Sequence, residues 1–227
     1  MSFDLIIFDC DGVLIDSEII SARMLVAELG TLGVAIDLDY VTTHFLGRSY
    51  PRVMQQIRED FRLDLPPDFE ALYRRRLLAA FEADLRIMPH VTDVLARLTL
   101  PWCIATSSSP ERAVRSLEIV GLGALAEPLL FTSTMVERGK PAPDLFLHAA
   151  AAMGAVDPAR CLVIEDSLNG VRAGRAAGMT VWRFLGGSHL GTSIAPEPED
   201  ARPHLRFASF ADFFALHSGV TARDAAP

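Results

Sequence analysis

The chain has 227 residues, half of them apolar, and a net charge of −8, which suits one large domain or a core with a small insert. Its basic residues form no long stripe, which argues against a nucleic-acid partner. Its longest apolar runs fall far short of the ~20 residues that span a bilayer, and Asp4 and Asp9 interrupt any secretory leader, so no membrane partner is expected.

The first run, Phe3 to Phe8, reads as a buried strand that stops on Asp9-Cys10-Asp11-Gly12. Two carboxylates brought together at a strand end are unfavourable without a counter-ion. Mg²⁺ supplies that charge and takes oxygen ligands, and an aspartate can itself be the nucleophile in phosphoryl transfer. The same letters also suit an Asp-Gly turn or a calcium loop. From Asp16 to Met88 the strand signals cease. Helical patterns run near 17–30, 38–45, 50–60 and 67–83, broken by Gly30, Gly33, Gly47 and Pro66-Pro67. This reads as a helical cap domain over residues 16–88, hinged near Ile15-Asp16 and Ile87-Pro89, with the core formed by 1–15 and 89–227. Arg74-Arg75-Arg76 is expected on a solvated helix face.

Beyond residue 88, strands are expected near 101–105, 129–131, 161–164 and 179–184, and helices near 90–98, 110–120, 143–153, 168–177 and 208–216. That alternation predicts an α/β fold with a doubly wound parallel sheet. Leu100 to Ala105 ends in Thr106-Ser107-Ser108-Ser109, and Cys161 to Ile164 ends in Glu165-Asp166-Ser167. Ligands of such sheets bind outside the carboxyl ends of the strands, so these tips and Asp9-Asp11 should share one crevice. Thr106 to Ser109, ahead of Pro110, also reads as a helix cap. Gly170 and Gly174 are expected to serve close helix–sheet packing, and residues 221–227 to fray.

Lys140 is the single lysine against 20 arginines. A composition that replaces lysine wherever charge alone suffices marks this position as one needing a compact ammonium. It sits in the two-proline turn Gly139-Lys140-Pro141-Ala142-Pro143. Cys10, Cys103 and Cys161 lack metal-ligand spacing and read as buried, reduced thiols of a cytoplasmic protein. Cys10, between the two aspartates, is assigned to packing because no general base lies near it in sequence.

Four motifs in order resemble the haloacid dehalogenase superfamily, in its phosphatase and β-phosphoglucomutase-like branch with a helical cap. They are Asp9-Cys10-Asp11-Gly12-Val13-Leu14-Ile15-Asp16-Ser17-Glu18, then Thr106, then Lys140 in Gly-Lys-Pro-x-Pro-Asp, then Glu165-Asp166-Ser167 with Gly170 and Ala177-Gly178-Met179. The likeness spans Phe3 to about Phe184, and Phe8 to Arg23 is most similar to bacterial 6-phosphogluconate phosphatases. The resemblance implies a Mg²⁺-dependent phosphomonoester hydrolase acting on a small phosphorylated metabolite through an aspartyl-phosphate. It implies Asp9 as nucleophile and Asp11 as acid and base. Asp9, the Asp11 backbone carbonyl, Glu165 and Asp166 would hold the metal, and Thr106, Ser107 and Lys140 the phosphoryl oxygens.

An acid at Asp11 argues against a dehalogenase, and a cap without lysine argues against a phosphonate-cleaving enzyme. A phospho-accepting receiver is about half this length. A β-phosphoglucomutase shares every core motif, but where its cap carries a histidine and an arginine this chain has Ser21 and Tyr50, which favours hydrolysis. Ser21, His44, Arg48, Ser49, Tyr50 and Arg52 are the expected specificity residues. His44 has a half-buried structural role as its alternative. Arg48 or Arg52 is expected to meet an anionic group remote from the phosphate, because a guanidinium fork suits a carboxylate.

Overall fold

Strands β1 (Leu5–Phe8), β2 (Trp102–Thr106), β3 (Leu130–Thr132), β4 (Cys161–Glu165), β5 (Thr180–Phe184) and β6 (Leu205–Phe207) form one parallel sheet in the order β3-β2-β1-β4-β5-β6. These assignments come from a computed structural model, which describes residues 2–45, 48–154, 157–190 and 196–222. The central strands β1 and β4 are buried at every position, as a parallel sheet covered on both faces requires. Ile6, Phe8, Ile104 and Trp182 pack on one face; Leu5, Ile7, Cys103 and Val163 pack on the other. The two-residue alternation of the strand thus feeds two separate cores. Phe8 pairs in register with Ile104 and Ile164, which brings the ends of β1, β2 and β4 level at one edge.

Helices α1 (Glu18–Thr31), α2 (Leu38–His44), α3 (Tyr50–Phe61) and α4 (Phe69–Asp84) follow β1 as an insert, and α5 (Val91–Arg97) returns the chain to β2. The two crossings run side by side. Ile15 bridges Ile87, Asp16 N–H donates to the Arg86 carbonyl at 2.9 Å, and Met88 N–H donates to the Leu14 carbonyl at 2.9 Å. The remaining helices are α6 (Pro110–Ile119), α7 (Gly123–Leu129), α8 (Asp144–Ala152) and α9 (Leu168–Ala176). Helix α9 lies directly on the sheet: a Cβ at Gly174 would come 2.6 Å from Val181 Cγ2, so only glycine permits this approach. None of the described helices is long and apolar enough to cross a membrane.

The structure departs from the sequence reading in four places. Strand β6 and helix α7 were not expected; three residues of strand give no usable period, and Pro128 inside α7 hides a seven-residue helix. The expected helix at 208–216 is a 3₁₀ segment over Phe210–Ala215. It is started by Ser209 Oγ accepting from Ala211 N–H at 3.2 Å, and it sends Phe210 and Phe213 into the aromatic cluster around Phe184 and Phe207. Thr221 and Ala222 are anchored rather than frayed, since Thr99 donates to the Thr221 carbonyl and Leu98 bridges Ala222; residues 223–227 lie outside the described residues.

Candidate active site

Asp9 leaves the end of β1 with its backbone N–H donating to the Ile164 carbonyl at 2.9 Å, so the sheet itself fixes its position. Lys140 reaches it across the strand ends. Its Nζ donates to Asp9 Oδ1 at 2.6 Å, Glu165 Oε1 at 2.8 Å and the Ala105 carbonyl at 2.9 Å, which uses all three ammonium protons. The side chain is 1% exposed and lies 4.7 Å above the Phe146 ring. Burial works against this ammonium, but Asp9 and Glu165 outweigh it and hold its pKa above the lysine range. Asp9 is pushed well above the usual carboxylate range by burial, with Lys140 opposing and Glu165, Asp166 and Asp11 adding to the rise.

Glu165 ends β4 and is fixed from two sides. Its Oε2 accepts from Ser167 N–H at 2.8 Å and Ser167 Oγ–H at 3.0 Å. Ser167 Oγ in turn accepts from Gly170 N–H at 3.1 Å and caps α9. Gly170 makes room for this carboxylate, because a Cβ there would fall 1.6 Å from Glu165 Oε1. Gly12, at φ +78°, does the same for Asp166: its Cβ would lie 2.2 Å from Asp166 Oδ2.

Asp9, Glu165 and Asp166 each present a carboxylate oxygen, all within 4.8 Å of one another, and all three are buried. Asp166 is driven up by burial and then by Glu165. Its Oδ2 accepts no hydrogen bond. His189 Nε2 lies 2.9 Å away but out of hydrogen-bonding alignment, and both ring nitrogens are unpartnered. A buried acceptor without a donor, in an oxygen-only cluster, fits a hard divalent cation such as Mg²⁺.

The Asp11 side chain stands outside that cluster and faces the other way. Its Oδ1 accepts from Ser17 Oγ–H at 2.5 Å and Arg112 NH2 at 2.8 Å; its Oδ2 accepts from Ser108 Oγ–H at 2.6 Å and Thr106 Oγ1–H at 3.3 Å. Burial pushes its carboxyl up, but Arg112 and the hydroxyls outweigh that and bring it below the ordinary value. Thr106 Oγ1 also accepts from Ser108 N–H at 3.1 Å. Ser107 lines the crevice, its carbonyl held by Ser133 Oγ–H at 3.0 Å. Cys10 is buried, and burial raises its thiol far above the usual range, which makes it an inert packing residue.

A cavity of about 340 Å³, within the size of small-ligand clefts, lies between the strand ends and the helical insert. Its floor includes Asp9, Asp11, Thr106, Ser107, Lys140 and Glu165. Of the expected specificity residues, Ser21, Arg48 and Tyr50 line it, whereas His44, Ser49 and Arg52 do not. The His44 ring packs tilted against Tyr40 with centroids 4.3 Å apart, and Arg52 is exposed on α3. The loop residues Leu46 and Gly47 lie outside the described residues.

The Arg74-Arg75-Arg76 run lies on a solvated face as expected, Arg75 and Arg76 being exposed, yet Arg74 and Arg75 also line the cavity; Arg74 pairs with Glu70 at 2.7 Å and lies 5.3 Å over the Tyr50 ring. Arg76 NH1 donates to both carboxylate oxygens of Glu28 at 2.7 Å. Sequence reasoning missed Ser17, Ser108, Arg112, His189 and Glu18, whose carboxyl burial lifts to about 7. Only Ser17-Glu18 and Ser108 carried a signal, by adjacency to the motifs.

The family model for haloacid dehalogenase-like hydrolases matches residues 3–178. The chain is 28% identical over 193 residues to the 6-phosphogluconate phosphatase of Escherichia coli, covering 85% of this chain and 87% of that one. It is 31% identical over 176 residues to a fructose-1-phosphate phosphatase of the same organism, covering 77% and 92%. A solved haloacid dehalogenase-like protein from Agrobacterium tumefaciens superimposes with a TM-score of 0.79 at 36% identity, covering 95% and 97%. The chain belongs to the haloacid dehalogenase-like hydrolase family.

Proposed function

We propose that the protein is a Mg²⁺-dependent phosphatase of a sugar phosphate or phospho-sugar acid, such as 6-phosphogluconate, working through an aspartyl-phosphate on Asp9. That it is a phosphoric monoester hydrolase follows from its family and from relatives named as phosphatases. The observation that carries the mechanism is the pairing at the strand ends: Asp9 is 2.6 Å from a fully buried Lys140, while Asp11 faces the opposite side of the same crevice.

Asp9, Glu165 and Asp166 would hold Mg²⁺, with the Asp11 backbone carbonyl as a further ligand. When bound, the metal offsets the carboxylate and phosphoryl charges that would otherwise repel each other. Thr106 and the Ser107 amide would hold the transferring phosphoryl oxygens, and Lys140 would join them by turning to the phosphoryl group a proton it now gives to Asp9 or Glu165. Asp9 attacks phosphorus. Asp11 gives a proton to the leaving alcohol, then takes one from the water that cleaves the aspartyl-phosphate, as two half-reactions of opposite sense require. Residues 16–88 act as a cap that closes over the substrate on the paired crossings at Ile15 and Ile87. The three buried free thiols accord with a cytoplasmic enzyme.

Arg48, Arg74 and Arg75 give the insert wall of the cavity a positive face, which favours a substrate with an anion remote from its ester. A second phosphate there would make the protein a β-phosphoglucomutase-type enzyme, and a carboxylate would make it a sugar-acid phosphatase. Phosphate release from a panel of phosphorylated metabolites with Mg²⁺, beside conversion of β-glucose 1-phosphate to glucose 6-phosphate, separates the two. Isomerisation without phosphate release would overturn the phosphatase reading.

A further inference from the structure

Arg112 enters the cavity from the core, on the first turn of α6, and belongs to none of the motifs. Its NH2 donates to Asp11 Oδ1 at 2.8 Å and to Ser21 Oγ at 3.2 Å. Its Cζ lies 5.3 Å over the Phe81 ring of α4, which holds the guanidinium plane between the core and the insert. Nε is buried without a hydrogen-bond partner. An arginine has five donors and no acceptor, and only NH2 is engaged here. The residue lines the same cavity as Asp9 and Lys140, and it stands on the Asp11 side of that cavity.

Position decides the ligand chemistry. If Asp11 protonates the leaving alcohol, the ester oxygen must take the place of the Ser108 or Thr106 hydroxyl at Oδ2 while Arg112 keeps Oδ1. The guanidinium then flanks the first carbons of the alcohol, on the side away from Lys140 and the phosphoryl oxygens. The Ser21 hydroxyl donates to the Ser17 carbonyl at 2.9 Å and accepts from Arg112, so it fixes the guanidinium instead of competing for the same acceptor. We propose that Arg112 is a specificity-determining residue that donates to an oxygen on the carbon next to the phosphate-bearing carbon, selecting polyol and hydroxy-acid phosphates over phosphates of simple alcohols. This rests on Asp11 being the acid and base of the proposed phosphatase.

The test uses a matched pair of substrates, glycerol 3-phosphate and 3-hydroxypropyl phosphate, which differ only in the oxygen on the neighbouring carbon. A charge-assisted hydrogen bond predicts that the wild type favours glycerol 3-phosphate in kcat/KM by roughly ten- to hundredfold. Arg112→Lys and Arg112→Gln should shrink that preference to within about threefold, and Ser21→Ala should reduce it partway. A wild type that treats the two substrates alike overturns the proposal without recourse to any variant. So does a preference that survives both Arg112 substitutions, or an equal loss on both substrates, which would confine Arg112 to holding Asp11. If the wild type releases no phosphate from these or from p-nitrophenyl phosphate with Mg²⁺, the phosphatase reading falls as well.

Discussion

Lys140→Arg keeps the charge and changes only its shape, so it tests whether the site needs a compact ammonium. The native Nζ places three protons on Asp9 Oδ1, Glu165 Oε1 and the Ala105 carbonyl, at 2.6, 2.8 and 2.9 Å, in directions that a planar fork cannot reproduce. The side chain is 1% exposed against Phe146, so the larger group must be accommodated by displacement, at about 1–3 kcal/mol. For a chain of this size that corresponds to a fall in Tm of roughly 2–12 °C. Displacing the Asp9 carboxylate that Nζ holds at 2.6 Å by as little as an ångström costs about 10² in kcat. Thermal melts and Mg²⁺-dependent phosphate release measure both effects. Lys140→Met serves as the comparison: it strands Asp9 and Glu165 without a cation and should cost about 3–5 kcal/mol. An arginine variant with kcat/KM within threefold of wild type would refute the reasoning and return Lys140 to an accident of composition.

Asp9→Asn should abolish phosphate release by several orders of magnitude with circular dichroism unchanged; turnover near wild type would remove Asp9 from the nucleophile role. Gly170→Ala should force the Glu165 carboxylate away from Lys140 and Ser167, because the added Cβ falls 1.6 Å from Oε1; Mg²⁺ affinity by calorimetry should drop at least ~10–100-fold. Mg²⁺ at about a hundred times its dissociation constant should raise unfolding stability by about 2.7 kcal/mol, and Asp166→Asn should erase most of that gain. Glu197 is held at about 2, chiefly by Arg206 and also by Arg183, against an ordinary 4.5. Its stabilisation is therefore complete above about pH 4.5 and lost as pH falls through about 2. It amounts to about 1–3 kcal/mol, since Arg206 is half exposed and screened, and urea unfolding of Glu197→Gln across that window should lack this component.

The sheet was legible because its central strands are unbroken apolar runs with polar tips, and the register that levels Phe8, Ile104 and Ile164 follows from burying such runs in parallel. The core residues Asp9, Thr106, Lys140 and Glu165 were legible for the same reason: each sits at the end of a strand or in a rigid turn, where chain position fixes spatial position. Arg112 was not. It is one residue of an ordinary amphipathic helix, and its place over Phe81 depends on how α4 packs against α6, which no local pattern encodes. The insert shows the same limit. Arg48, Arg74 and Arg75 line the cavity while Arg52 and Arg76 do not, and residues this close in sequence are divided by helical phase and by packing partners such as Tyr50 and Glu28.

Asp9 and Asp11 are separated by one residue, yet their carboxyls are displaced in opposite directions, and each displacement has a distinct cause. Asp11 is surrounded by donors: one guanidinium and three hydroxyls meet its two oxygens. Asp9 shares a buried space with Glu165 and Asp166 and has a single cation, Lys140, which Glu165 also uses. Were all three ionised, three carboxylates against one ammonium would leave two negative charges in a dry site, and burial is the first cause that pushes Asp9 upward. One hydroxyl, from Ser167, reaches Glu165, but Asp166 Oδ2 has no hydrogen-bond donor. A divalent cation supplies the missing two charges and an electrophilic partner for the unpaired oxygen. The same ion would let Asp9 ionise and act as a nucleophile, while the donors around Asp11 hold it as the carboxylate, the form that takes a proton from water in the second half-reaction.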